Sequence, residues 1–191
     1  MRIVLLGAPG SGKGTQAAIL TERLGLPHIS TGNLLRAAVE EGSELGRQAR
    51  VVMDRGELVS DDIMLGLIEE RLAHTDAVGG FILDGYPRNL AQADALDVLL
   101  ERIGKPVNIA VQIEVDEDLV VARIAKRAQE EGRSDDTEET VRNRMKVYQE
   151  QTAPVVGHYQ ANGKLVCVLG EGTIEEVNAR ILAALQVSKP D

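Results

Sequence analysis

The residues best suited to chemistry stand near the N-terminus: Gly7-Ala8-Pro9-Gly10-Ser11-Gly12-Lys13-Gly14-Thr15. Glycines adopt backbone angles closed to other residues, so successive N–H groups can point into one hollow and hold an anion. A helix opening near Lys13 adds the positive end of its dipole, and the Lys13 ammonium reaches the outer phosphates of a nucleotide. The spacing Gly7-x4-Gly12-Lys13 fits a Walker A phosphate loop with one departure. The next residue is ordinarily Ser or Thr, whose hydroxyl ligates magnesium; here it is Gly14, with Thr15 one place later. The bland alternative is an ordinary glycine turn. Four glycines and a lysine between an apolar run and a helical pattern argue against it.

Asp84 ends a second apolar run, Phe81-Ile82-Leu83, in the manner of a Walker B aspartate. A carboxylate there holds magnesium bound to nucleotide phosphates, or the waters of that ion. Without a hydroxyl at Gly14, few direct protein ligands are expected, and Asp84 would act through water. Arginines supply the rest of the chemistry, because guanidinium presents a planar fork of donors to phosphoryl oxygens. Arg123 and Arg127 are four apart and share one side of a helix. Like charges at that spacing cost a helix roughly 0.2–0.5 kcal/mol, which an anionic ligand between them would offset. Val120, Val121, Ile124, Ala125 and Ala128 mark the apolar face beside them. Arg144 borders the stripe Val141, Met145, Tyr148 and Thr152; Arg36 is on the small helical segment after Thr31, Arg88 follows the Asp84 strand, and Arg133 lies in a polar loop.

No catalytic base is evident. His28, His74 and His158 are scattered and read as structural. A kinase acting on a hydroxyl needs a carboxylate to position the acceptor. A phosphate acceptor is already nucleophilic at neutral pH and needs only positioning and charge screening.

The balance of 21 basic against 30 acidic residues, a net charge of −9, makes a surface that repels polyanions. Nucleic acid is therefore not an expected partner, and positive charge must be concentrated at one site. The 191 residues suffice for one domain with a sizeable core. With no Trp, one Phe and three Tyr, that core is aliphatic. Cys167 is the only cysteine, which excludes an internal disulfide and a cysteine-rich zinc site. Its run Lys164-Leu165-Val166-Cys167-Val168-Leu169 reads as a strand with Cys167 in the core. The N-terminus enters a strand directly, with no secretory or transmembrane run, so the expected setting is cytoplasmic, with no membrane partner.

The elements that position these groups alternate. Strands are expected at 2–6, 81–84, 107–115 and 165–169, with a short extended piece at 27–30. Helices are expected at 13–24, from Thr31 as cap to Glu41, at 44–54, 61–73, 89–101, 116–128, 137–160 and from Thr173 to Gln186. Gly25 stops the first helix. Asp136 with Glu139, and Thr173 with Glu176, read as capping boxes, and Pro154 as a kink. The alternation argues for a three-layer α/β fold around a five-stranded parallel sheet. Ligands of such sheets lie beyond the carboxyl ends of the strands. The phosphate loop, Asp84-Gly85, Arg88 and Gly170-Glu171-Gly172 all fall there.

On these motifs the chain resembles the adenylate kinases, in the short form with an abbreviated lid. The resemblance rests on residues 7–15, Ser30-Thr31-Gly32-Asn33-Leu34-Leu35-Arg36, Phe81 to Arg88, Gln92, Arg123 with Arg127, and Gly132-Arg133-Ser134-Asp135-Asp136 with Arg144. It covers essentially the whole chain, and Gly14-Thr15 is normal for that family. It implies a P-loop NTPase fold as one domain, 1–191, with an AMP-binding flap at 30–59 and a short lid at 126–136. It implies the reaction ATP + AMP ⇌ 2 ADP, with magnesium accompanying ATP and no structural zinc. Gly10, Ser11, Gly12, Lys13, Gly14, Thr15, Arg127 and Gly172 would serve ATP. Thr31, Arg36, Glu57, Leu58, Val59, Gly85, Tyr86, Pro87, Arg88 and Gln92 would hold AMP. Lys13, Arg88, Arg123, Arg133 and Arg144 would surround the transferred group, the last two also meeting the AMP phosphate. The family ordinarily has Asp where this chain has Asn33, which removes a charge from the outer shell of magnesium.

The main rival is a UMP/CMP kinase. Thr31 favours AMP, because that group typically carries Ala there, and Gln92 can pair with the adenine edge. A hydroxyl kinase such as a shikimate kinase lacks the matched AMP motifs. A GTPase-type switch needs an Asn-Lys-x-Asp motif, which is absent. A nucleotide sensor without turnover would not need the full arginine set. No coiled-coil pattern suggests assembly, so a monomer is expected.

Overall fold

The computed structural model describes residues 1–131 and 137–187; for residues 117, 125, 127–131 and 187 it describes the backbone alone. Strand β1 (Arg2–Leu6) lies at the centre of the sheet, and Ile3, Val4, Leu5 and Leu6 are all buried. A strand covered on both faces has no place for polar residues, which is why this run is continuously apolar. β2 (His28–Ser30), β3 (Phe81–Asp84), β4 (Ile109–Glu114) and β5 (Leu165–Leu169) pair with it in the order β2-β3-β1-β4-β5, every pair parallel. From β1 the chain passes to one side for β2 and β3, then to the other for β4 and β5. The crevice of such a sheet opens where the order reverses, outside the end of β1.

Helices cover both faces. The side-chain period of two sends Ile3 and Leu5 one way, where they join Ala17 and Leu20 of α1 (Lys13–Leu24) and Val177, Ile181 and Leu185 of α9 (Ile174–Val187). Val4 and Leu6 point the other way. They join Ile68 and Leu72 of α4 (Asp61–Leu72), Leu96 and Leu100 of α5 (Leu90–Arg102), and Tyr159 of α8 (Ala153–Ala161). Each fully buried Leu or Ile contributes about 1.5–3 kcal/mol, so these two aliphatic layers hold the sheet without a Trp. The remaining helices are α2 (Thr31–Glu40), α3 (Glu44–Asp54), α6 (Glu117–Glu131) and α7 (Glu138–Val147).

Several local expectations change. Ser30, not Thr31, caps α2: its hydroxyl accepts from the Asn33 N–H at 3.4 Å, which leaves the Thr31 hydroxyl to serve elsewhere. Thr137 caps α7, accepting from the Thr140 N–H, and the expected cap Asp136 lies outside the described residues. The single helix expected over 137–160 is two helices joined by a wide π turn at Tyr148–Thr152. Pro154 starts α8 rather than kinking a helix interior, because proline has no N–H to give and the first turn needs none. Cys167 is exposed, contrary to the core placement. β5 is an edge strand, and of its five residues only Val168 is fully buried. The Thr173–Glu176 capping box forms reciprocally, and Gly25 ends α1 at φ 66°. Among the described residues no helix is long and apolar enough to cross a membrane.

Candidate active site

Register decides what meets at the carboxyl ends of the strands. Leu5 lies opposite Asp84, and Ser30 lies opposite Asp84 on its other side. Glu114 pairs with Leu169, which sets Gly170 beside the end of β4. The loop after β1, Asp84, the start of α2 and the Gly170 turn therefore share one rim. They enclose a cleft of about 840 Å³.

One wall is the phosphate loop. Gly10 and Gly12 have φ of 82° and 94°, in the left-handed region that favours glycine. A Cβ on Gly10 would come within 2.7 Å of Ile124 Cγ1, whereas one on Gly12 would meet nothing within 4 Å. Gly10 is thus constrained by both packing and backbone angle, and Gly12, the cap of α1, by backbone angle alone. Lys13 curls across the loop and donates from Nζ to the carbonyls of Gly7 at 2.7 Å and Ala8 at 2.9 Å. Gly10, Ser11, Gly12, Gly14, Thr15 and Gly172 line the same cleft.

Asp84 closes the floor, with Oδ2 3.7 Å from where a Gly14 Cβ would stand. Burial pushes its carboxyl upward, but the His28 hydrogen bond and the charges of Lys13, His28 and Arg88 outweigh this and hold it below the ordinary range. The group is therefore an anion at neutral pH. His28 Nε2 lies 3.2 Å from Asp84 Oδ2, so this histidine belongs to the site although no motif marks it. Only the pairing of β2 with β3 brings the two together.

Arg36, Arg88, Arg123 and Arg144 all line the cleft, each delivered by a different element. Arg123 donates to the Gly170 carbonyl at 3.0 Å and reaches the Ser11 carbonyl at 3.5 Å, bridging the two ends of the rim. Arg36 donates to Asn33 Oδ1 at 2.7 Å. Arg88 is pinned at three points. Its Nε donates to the Gly85 carbonyl at 2.7 Å, its N–H to Gln92 Oε1 at 2.8 Å, and its carbonyl accepts from Thr152 Oγ1 at 2.7 Å. Lys126 also lines the cleft and was missed by the sequence reading. Clustering of these cations in a chain of net charge −9 is an electrostatic commitment to an anion.

A smaller hollow of about 50 Å³ adjoins the cleft. Thr31, Arg36, Glu57, Leu58, Val59, Gly85, Tyr86, Arg88, Gln92 and Arg144 line it, drawn from stretches far apart in the chain. Pro87 faces the larger cleft instead. Thr31 is fully buried, and its hydroxyl donates to the Gly85 carbonyl at 2.9 Å. Gly85 has φ 81°, and a Cβ there would stand 2.7 Å from Thr31 Oγ1. Burial and the nearby Asp61 charge push the Tyr86 hydroxyl up to about 12, so it remains protonated. The end of α3 beside the hollow is tied to α7: Thr140 Oγ1 donates to the Asp54 carbonyl at 2.8 Å, and Asn143 Nδ2 to the Arg55 carbonyl at 2.6 Å. The Arg127 side chain and all of Arg133 lie outside the described residues, as does the rest of the expected lid from 132 to 136.

Comparison with known proteins bears on this arrangement. The family model for adenylate kinase matches residues 5–164. The chain belongs to the adenylate kinase family. It is 60% identical over 186 residues to an adenylate kinase of Stenotrophomonas maltophilia strain R551-3, covering 97% of this chain and all of the relative. An adenylate kinase of Xylella fastidiosa strain 9a5c is 60% identical over 185 residues, covering 97% and 99% of the two chains. One of Xanthomonas campestris pv. campestris strain 8004 is 58% identical with the same coverage. Membership makes the chain a nucleoside monophosphate kinase, a phosphotransferase, and decides for the adenylate kinases over the UMP/CMP kinases. The five-stranded parallel sheet and its loop agree with the P-loop fold of the family.

The residues that sequence reasoning missed act on other protein groups. His28 touches Asp84, Thr152 holds the Arg88 carbonyl, and Gln112 donates to the Tyr148 hydroxyl at 3.2 Å. Each reaches across more than thirty positions of the chain, and no local pattern announces such a contact.

Proposed function

We propose that the chain transfers the γ-phosphoryl group of ATP to AMP, ATP + AMP ⇌ 2 ADP, with the two nucleotides in the two adjoining hollows. The observation that carries this reading is the seam between them: Arg36, Arg88 and Arg144 line both. A nucleotide whose base lies against the small hollow would present its phosphate at that seam, facing an end phosphate lying over Lys13. An AMP phosphate oxygen then forms a bond to the γ-phosphorus as the bond to the β–γ bridging oxygen breaks, and ADP leaves. The attacking oxygen is already anionic, so no general base is required, in keeping with a seam lined by arginines. Guanidinium groups fixed in advance stabilise charge on the transferring oxygens without reorganising.

In this reading residues 10–15 cradle the ATP phosphates, Arg127 holds ATP, and Gly172 lies by its adenine. Thr31, Arg36, residues 57–59, Gly85, Tyr86, Pro87, Arg88 and Gln92 hold AMP. Arg123, Arg133 and Arg144 surround the transferred group. Magnesium bound with ATP supplies further charge neutralisation, and Asp84 would hold it through water. A buried, ionised oxygen donor facing Gly14 suits a hard cation, and among the described residues no group of three or more His, Cys, Asp or Glu offers a protein cage. Residues 30–59 act as a flap and 126–136 as a lid, excluding water as a competing acceptor.

A coupled assay pairing ATP with AMP, CMP, UMP and GMP in turn tests the reading. AMP is the expected acceptor; a preference for CMP or UMP overturns it.

A further inference from the structure

Gln92 is 1% exposed, yet it lines the small hollow, so its amide is the one carboxamide there that is shielded from water. Both ends of that amide are already engaged. Oε1 accepts from the Arg88 N–H at 2.8 Å, and Nε2 donates to Asp61 Oδ1 at 2.7 Å. Each partner has one polarity only. A backbone N–H cannot accept, and a carboxylate cannot donate. Rotating the amide by half a turn would set oxygen against Asp61 and nitrogen against the Arg88 N–H, breaking both bonds and opposing like groups. The same carboxylate oxygen accepts from Asn89 Nδ2 at 3.1 Å, while Asn89 Oδ1 caps α5 through the Gln92 N–H at 2.8 Å. Asp61, at the start of α4, thus ties down both side chains that define the first turn of α5. It does not itself line the hollow.

We infer that Asp61 is a positioning residue that locks the Gln92 amide in one orientation and so sets which base edge the acceptor hollow takes. The inference rests on the reading that Gln92 meets the base of AMP. With one lone pair and one N–H spent, a lone pair of Oε1 and an N–H of Nε2 remain, at fixed places. Adenine offers the complement, an acceptor at N1 beside a donor at N6. Hypoxanthine has nearly the same shape with both polarities reversed, N1–H beside O6. A freely turning amide would serve either base; a locked one serves only the first.

The test compares kcat/KM for AMP and for inosine monophosphate in the wild type, Asp61→Ala, Asp61→Asn and Asp62→Ala, with ATP KM and Tm measured on each. Asp61→Ala is expected to lower the preference for AMP over inosine monophosphate by roughly 3- to 10-fold, the value of one hydrogen bond. The change should come through AMP KM, with kcat and ATP KM near wild type. Asp61→Asn keeps the shape but can donate as well as accept, so it relaxes the one-polarity lock and should lower the preference too, by less than Asp61→Ala. Asp62→Ala removes an equal charge from the same helix turn without touching Gln92, and should leave the preference unchanged. If Asp61→Ala does not fold, Asp61→Ser replaces it, since its hydroxyl is one bond too short to reach Gln92. A fall in Tm with the preference intact overturns the inference, as does an equal shift in Asp62→Ala. Gln92→Leu separates the two levels. Unchanged AMP KM in that variant removes the underlying reading; raised AMP KM there with wild-type preference in the Asp61 variants removes the positioning role alone.

Discussion

The two hollows are built on opposite plans. The phosphate-loop wall of the cleft is made by one contiguous stretch, residues 7–15, and mostly by its backbone: left-handed glycines and the start of α1. The small hollow is made by side chains brought from α2, residues 57–59, the loop after β3, α5 and α7. Backbone N–H groups bind any phosphate alike. Side chains fixed by one another, such as Thr31 on Gly85 or Gln92 between Arg88 and Asp61, can discriminate one nucleotide from another. The difference teaches that the phosphate loop is a local construction, whereas the small hollow is a product of tertiary structure.

Lys13→Met should give the largest effect. It removes the one ammonium laid across the loop, and roughly a 10²–10³-fold loss of kcat is expected, as for loss of one preorganised donor. A thermal melt should place the variant within a few degrees of wild type, because the Lys13 hydrogen bonds to Gly7, Ala8 and Ser11 lie within the loop itself. Near-normal turnover would break the donor half of the comparison.

Arg88→Ala should strike the acceptor half. Loss of charge-assisted bonds to a phosphate predicts roughly a 10- to 100-fold rise in AMP KM. ATP KM should change much less in the same steady-state series. Equal effects on both nucleotides would mean that the seam does not divide the site in the way described.

The smallest effect concerns Asp84, a donor-side residue whose setting is tertiary. Its carboxyl is held below 3.8 in the folded chain. Its contribution to stability is therefore fully present above that value and is lost as pH falls through the lower folded value. Asp84→Asn should flatten this acid limb: urea melts at about pH 6 and about pH 3 should differ less in the variant than in wild type. An unchanged difference would show that the His28 and Lys13 contacts do not favour the anion.

How much could be read without coordinates follows the same division. The phosphate loop, the apolar runs of β1, β3 and β4, the Gly25 stop and the Thr173–Glu176 box were legible because each is a short-range pattern. The residues of the small hollow were named by resemblance, not by any spacing in this chain. Misplaced features failed for physical reasons. Cys167 sits in an apolar run, but an edge strand leaves part of its surface uncovered, and no sequence pattern says which strand is at the edge. The break at Tyr148–Thr152 coincides with Thr152 bonding the Arg88 carbonyl, a demand set by a loop sixty-four positions away.

The sequence by itself determined the phosphate loop, since a glycine-rich loop between a strand and a helix is shaped by its own backbone. It also determined the aliphatic parallel sheet, through runs that tolerate burial on both faces. Only the tertiary structure decided which carboxylate, histidine and arginines share the rim, and which way the Gln92 amide faces. Those depend on strand order and helix packing, which bring together groups whose separation along the chain carries no signal of their contact.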